Sequence, residues 1–100
     1  MGYTNDNYSP DLDKLLLYAC ENNSLLIVEK TIHDGADIHY EEDLPLALAS
    51  FYGNLDIVNY LVESGADIRS CSNFAIRIAK MHGHKEVESY LTNALKESNF

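Results

Sequence analysis

Gly35-Ala36-Asp37-Ile38 returns unchanged as Gly65-Ala66-Asp67-Ile68, thirty residues further along a chain of 100. A repeated tetrapeptide proves little alone, so the test is whether its surroundings keep the same register. They do. The offset carries Leu16 to Leu46 and Ile76, Ala19 to Ala49 and Ala79, and Ile27 to Ile57 and Val87. It also carries Asn23 to Gly53 and Gly83, and Tyr60-Leu61 to Tyr90-Leu91. Self-similarity at a fixed period of this length marks a solenoid, in which each unit buries its apolar face only against its neighbours.

Within a unit the pattern reads as two helices and a link. Ser9-Pro10 supplies a capping hydroxyl and a residue suited to the first helical turn. The helix that follows runs to Glu21, with Leu12, Leu15, Leu16 and Ala19 on one face. Asn22-Asn23 interrupts it, and Ser24 is placed to cap a second helix carrying Leu25, Val28 and Ile32. Gly35 closes that helix, because glycine enters the left-handed region without a Cβ clash. In the second unit Pro45 opens, Gly53 interrupts, Asn54 caps, Leu55, Val58 and Val62 line a face, and Gly65 closes. The third opens near Asn73, is interrupted at Gly83, and ends in a helix from His84 to Glu97. The layout is a polar arm over 1–9, a repeat domain over 10–97 in units of about 10–39, 40–69 and 70–97, and a tail over 98–100.

Leu44-Pro45-Leu46-Ala47-Leu48-Ala49 resembles the Thr-Pro-Leu-His-x-Ala signature of ankyrin repeats. Gly53-Asn54-Leu55-Asp56-Ile57-Val58, followed by Gly65-Ala66-Asp67-Ile68, is similar to the remainder of that repeat. The resemblance covers residues 11–95 and implies an all-α ankyrin-repeat solenoid of helix-turn-helix units joined by short hairpin-like links. Ankyrin repeats run to about 33 residues, whereas these run to 30, and the missing residues fall between Ile38 and Pro45. Tyr40-Glu41-Glu42-Asp43 and Arg69-Ser70-Cys71-Ser72-Asn73 must therefore turn more tightly than the usual hairpin. Leu44 replaces the capping Thr, so Asp43 is the expected cap. Clipped repeats of this kind resemble those of ankyrin proteins abundant in giant DNA viruses of amoebae. Val28 and Val58 give way to Glu88, and Val62 to Thr92, as expected of a terminal repeat that turns a polar face to water.

Composition narrows the function. The net charge is −9, from sixteen acids against seven bases, with no cluster of Lys and Arg. Phosphate backbones and anionic membrane surfaces both select for such clusters, so neither nucleic acid nor membrane is an expected partner. No apolar run approaches the roughly 20 residues of a membrane span, and the first residues lack the basic and apolar regions of a signal peptide. Cys20 and Cys71 fall in different units; stacked helices lie about 8–10 Å apart, beyond comfortable disulfide reach. Free thiols suit a reducing compartment, cytoplasmic or nuclear. Cys20 is expected to be buried and Cys71 to be exposed.

His82-Gly83-His84 invites a metal reading, but Gly-His at the break between helices suits capping, and no Cys or carboxylate stands at ligand spacing around it. No nucleophile elbow, P-loop or glycine-rich phosphate cradle is present. The expectation is a non-enzyme with no cofactor and no metal. By the resemblance, the exposed concave positions are the residues before each break and the link tips. These are Glu21, Asn22, Phe51, Tyr52, Met81 and His82, with Tyr40, Glu41, Glu42 and Arg69 in the links. A monomer binding a protein partner with a basic surface is the leading reading. A structural or vestigial stack without a dedicated partner is the alternative.

Overall fold

A computed structural model describes residues 10–98. Ser9, the expected first cap, the arm over 1–9 and residues 99–100 of the tail lie outside the described residues. The elements are α1 (Pro10–Glu21), α2 (Leu25–His33), α3 (Tyr40–Tyr52), α4 (Leu55–Glu63), α5 (Ser70–Met81) and α6 (Lys85–Glu97). They form three antiparallel pairs, as the thirty-residue period requires. The first helices of the pairs, α1, α3 and α5, pack side by side into an inner row, and α2, α4 and α6 make a looser outer row.

The reason for the tight inner row is side-chain size. Ala19, Ala49 and Ala79 are each fully buried at one register, where a small residue lets adjacent helices approach closely. Leu16 and Leu46 fill the space beside them, while Val28, Ile57, Val58, Leu61, Val87 and Leu91 seal the inner row to the outer. At the roughly 25 cal/mol per Å² typical of apolar burial, this core is the main stabilising term.

The links are not hairpins. Glu41, Glu42 and Asp43 take φ of 50°, 58° and 64°, and Cys71, Ser72 and Asn73 take 53°, 58° and 61°. Each link is thus a single left-handed turn built from L-residues, a conformation that costs about 1–2 kcal/mol per residue. Hydrogen bonds offset that cost in the same way twice. Asp37 Oδ1 accepts from the His39 N–H at 2.9 Å, and the Asp43 N–H donates to the His39 carbonyl at 3.2 Å. Thirty residues on, Asp67 Oδ1 accepts from the Arg69 N–H at 2.9 Å, and the Asn73 N–H donates to the Arg69 carbonyl at 3.2 Å.

Two buried carboxylates then tie each link to the unit before it. Asp13 Oδ1 accepts from the Asp37 N–H at 2.7 Å, and Asp43 Oδ1 accepts from the Asp67 N–H at 3.0 Å. Asp43 also receives a hydrogen bond from His39 Nδ1 at 2.9 Å, the ring nitrogen donating because a carboxylate only accepts. Asp43 is therefore not a helix cap: its side chain is spent on holding the following link.

Other expectations are corrected as well. Leu15 is exposed, and the buried face of α1 is Asp13, Leu16, Ala19 and Cys20. Pro45 and Ala75, at the same register, are buried, but no helix of a preceding unit lies beside α1 among the described residues. Ser24, Asn54 and His84 occupy N-cap positions of α2, α4 and α6, yet none makes a side-chain capping bond. Instead Asn54 Nδ2 donates to the Cys20 carbonyl at 2.7 Å, and His84 Nε2 donates to the Phe51 carbonyl at 2.8 Å. Carbonyls in the last turn of a helix lack intrahelical partners, so these side chains satisfy the previous unit's inner helix rather than their own outer one.

A candidate protein-binding surface on the inner row

The last turn of α3 carries Phe51 and Tyr52, and the chain leaves it through Gly53 at φ 73°. Glycine is required there twice over. The left-handed φ disfavours a Cβ, and a Cβ at Gly53 would overlap the His84 ring, which lies across it on the way to the Phe51 carbonyl. That ring helps close one unit against the next.

The consequence is a row of rings across the boundary between units. Phe51 and Tyr52 meet edge to face with centroids 4.8 Å apart, and Phe51 meets His82 of the third unit at 4.3 Å. His82 in turn stacks toward His84 at 6.4 Å. Phe51 remains 36% exposed and Tyr52 48% exposed, so the rings pack on one another while presenting surface to solvent. Met81 extends the apolar area at 72% exposure. The end of α1 and the residue after it contribute exposed Glu21 and Asn22 at the matching register, although the Asn22 amide folds back to the Tyr18 carbonyl at 2.8 Å.

The link residues form a separate patch. Glu41, Glu42 and Arg69 are exposed and Tyr40 is half-buried. The helical stretch from Leu44 to Tyr52 places these tips about 12 Å from the aromatic row at 1.5 Å rise per residue. The two links touch each other: Ser70 Oγ donates to the Glu42 carbonyl at 2.9 Å, and the Cys71 thiol donates to Glu42 Oε1 at 3.4 Å. Arg77 and Phe74 were not among the residues expected here. Arg77 donates from Nε to the Ser72 carbonyl at 3.1 Å and from its Nη2 to the Cys71 carbonyl at 2.9 Å, and its guanidinium lies 5.3 Å from the Phe74 ring centre. The available signal was a positive charge at the register of Leu17 and Ala47.

The thiols divide as expected, Cys20 buried and Cys71 exposed. Burial, with a smaller push from Glu21, raises the Cys20 thiol to about 12, so it packs as a small apolar group and is unreactive near neutrality. Among the described residues no group of three or more His, Cys, Asp or Glu is arranged to hold a metal ion, and no helix is long and apolar enough to cross a membrane. What the inner row offers is exposed surface from aromatic side chains that pack on one another.

A family model described as ankyrin repeats (3 copies) matches residues 3–72. No curated protein matches the chain.

Proposed function

The chain belongs to the ankyrin-repeat family, whose members typically make protein–protein contacts without catalysis, and on that premise we propose that it binds a protein partner through the inner row. The observation that carries this reading is the ring contact of Phe51, Tyr52 and His82, which spans two units yet leaves both Phe51 and Tyr52 substantially exposed. Rings held by one another lose little rotamer freedom on binding, which is why aromatic side chains serve as anchors. Glu41 and Glu42 stand at the rim with a net chain charge of −9 behind them, a combination that favours a basic partner surface and acts mainly on association rate. The module is proposed to act as a monomer in the cytoplasm or nucleus. The thirty-residue period supports kinship with the giant-virus ankyrin proteins, in which case the compartment is the host cytoplasm.

The test is a paired affinity capture with the wild-type chain and a Tyr52→Ala/His82→Ala variant, followed by titration of any partner that distinguishes them. Tyr52→Ala is expected to cost about 2 kcal/mol of binding with little change in helical content. A partner that binds the double variant at full affinity, and is lost on substitution of outer-row residues, places the interface elsewhere.

A further inference from the structure

The outer row carries a feature that the inner-row reading does not use. Between α4 and α6 lies an open groove of about 480 Å³, lined by Val62, Glu63, Tyr90, Asn93, Ala94 and Glu97, with Ser98 at its end. Its apolar surface comes from Val62, Ala94 and the Tyr90 ring. Tyr90 is held in place from its far end, where its hydroxyl donates to Asn59 Oδ1 at 3.0 Å.

Neither acid of this groove is neutralised. Among the described residues no Lys, Arg or His lies within ion-pair distance of Glu63 or Glu97. Their field is felt inside the groove: the Tyr90 phenol is pushed up, first by partial burial and then by Glu63 and Glu97. A cavity with an aromatic and aliphatic surface, two unpaired carboxylates and a side-chain amide has a definite complement. It is a flat cation on an apolar stem.

We propose that the groove between α4 and α6 receives an arginine side chain presented by a protein partner. The methylene stem lies along Val62 and Ala94, as long basic side chains do on apolar surface. The guanidinium then reaches the Glu63 and Glu97 carboxylates, and its remaining N–H groups reach the Asn93 carbonyl oxygen. Arginine fits better than lysine, because a planar fork can donate to several acceptors at once and is more weakly hydrated than an ammonium. An aromatic ring beside the cation adds further attraction. This contact belongs to the outer row and stands whether or not the aromatic residues of the inner row bind anything.

The probe is N-acetyl-arginine methylamide, with the citrulline analogue as an uncharged isostere, titrated into the isotope-labelled full chain and followed by NMR. Saturable shifts are expected at the Val62 and Ala94 methyls and the Asn93 side-chain amide, with the citrulline analogue giving none. Glu63→Gln combined with Glu97→Gln is expected to weaken arginine binding by about fivefold or more. Both residues are exposed and unpaired, so the fold is expected to survive. Tyr90→Phe keeps the ring and is expected to keep the arginine response. Absence of saturable shifts at these groups, equal shifts with citrulline, or unchanged affinity in the double Gln variant would each overturn the assignment.

Discussion

Residues 40–65 and 70–97 trace the same helix pair behind the same left-handed link. Yet where the middle unit buries Val58 completely, the last unit sets a half-exposed Glu88. The two share Asp/Asn at 43 and 73, a glycine at 53 and 83, and buried alanines at 49 and 79. These few residues set the backbone. What a unit turns toward its surroundings is decided elsewhere, at positions such as 58 and 88, and can change sign from apolar to charged without disturbing the trace.

The largest effect should come from exchanging those two residues. Val58→Glu places a carboxylate in a fully buried site between units and is expected to cost on the order of 5 kcal/mol, enough to unfold a stack of this size. Glu88→Val should fold normally and self-associate, because it adds an apolar side chain to an open face. Thermal melts and sedimentation of the two variants check both halves. Equal destabilisation would mean that 58 and 88 occupy equivalent environments.

The glycines at the helix breaks sharpen the comparison. Gly53 and Gly83 have nearly the same φ, 73° and 76°, but a Cβ at Gly53 would run into His84 while one at Gly83 would meet nothing within 4 Å. Gly83→Ala should cost about 1–2 kcal/mol for the left-handed strain alone. Gly53→Ala should cost about 1 kcal/mol more, because the His84 ring must give up its bond to the Phe51 carbonyl. Adding His84→Ala to Gly53→Ala should recover part of that excess, a coupling that a double-mutant cycle in urea would measure.

The helix pairs could be read from sequence because their signals are local and repeated: apolar residues at helical spacing, glycine at the breaks, and a tetrapeptide that returns in register. The links could not. Three successive L-residues in the left-handed region run against local preference, and part of what holds them comes from 24 residues earlier, where Asp13 and Asp43 reach the N–H of Asp37 and Asp67. In the sequence these acids look like solvated charge. The same distance problem hid the use of Asn54 and His84, whose side chains serve the carbonyls of the preceding unit. At the candidate surface, exposure of Tyr52 and Met81 was expected from the resemblance to ankyrin repeats, which puts the residues before each break on the open side. The contact of Phe51 with His82 did not, since it depends on how closely the units approach.

The smallest effect concerns the first and middle units at one register, where Cys20 and Ser50 are both fully buried. A thiol tolerates such a site as a small apolar group. A hydroxyl does not, and Ser50 Oγ has no hydrogen-bond partner among the described residues. Ser50→Ala should therefore raise stability by about 1 kcal/mol, the usual scale for relieving an unsatisfied buried donor. Cys20 carries the opposite liability, confined to alkaline solution. Its folded-state thiol is raised to about 12, so the folded chain holds that proton after the unfolded chain has released it. The stability it contributes is complete below the ordinary thiol range and is lost as pH rises from there toward about 12. Urea melts of the wild type and Cys20→Ala across that window should show a steeper alkaline decline in the wild type. Parallel curves would mean that the thiol ionises in the folded chain as freely as in the unfolded one.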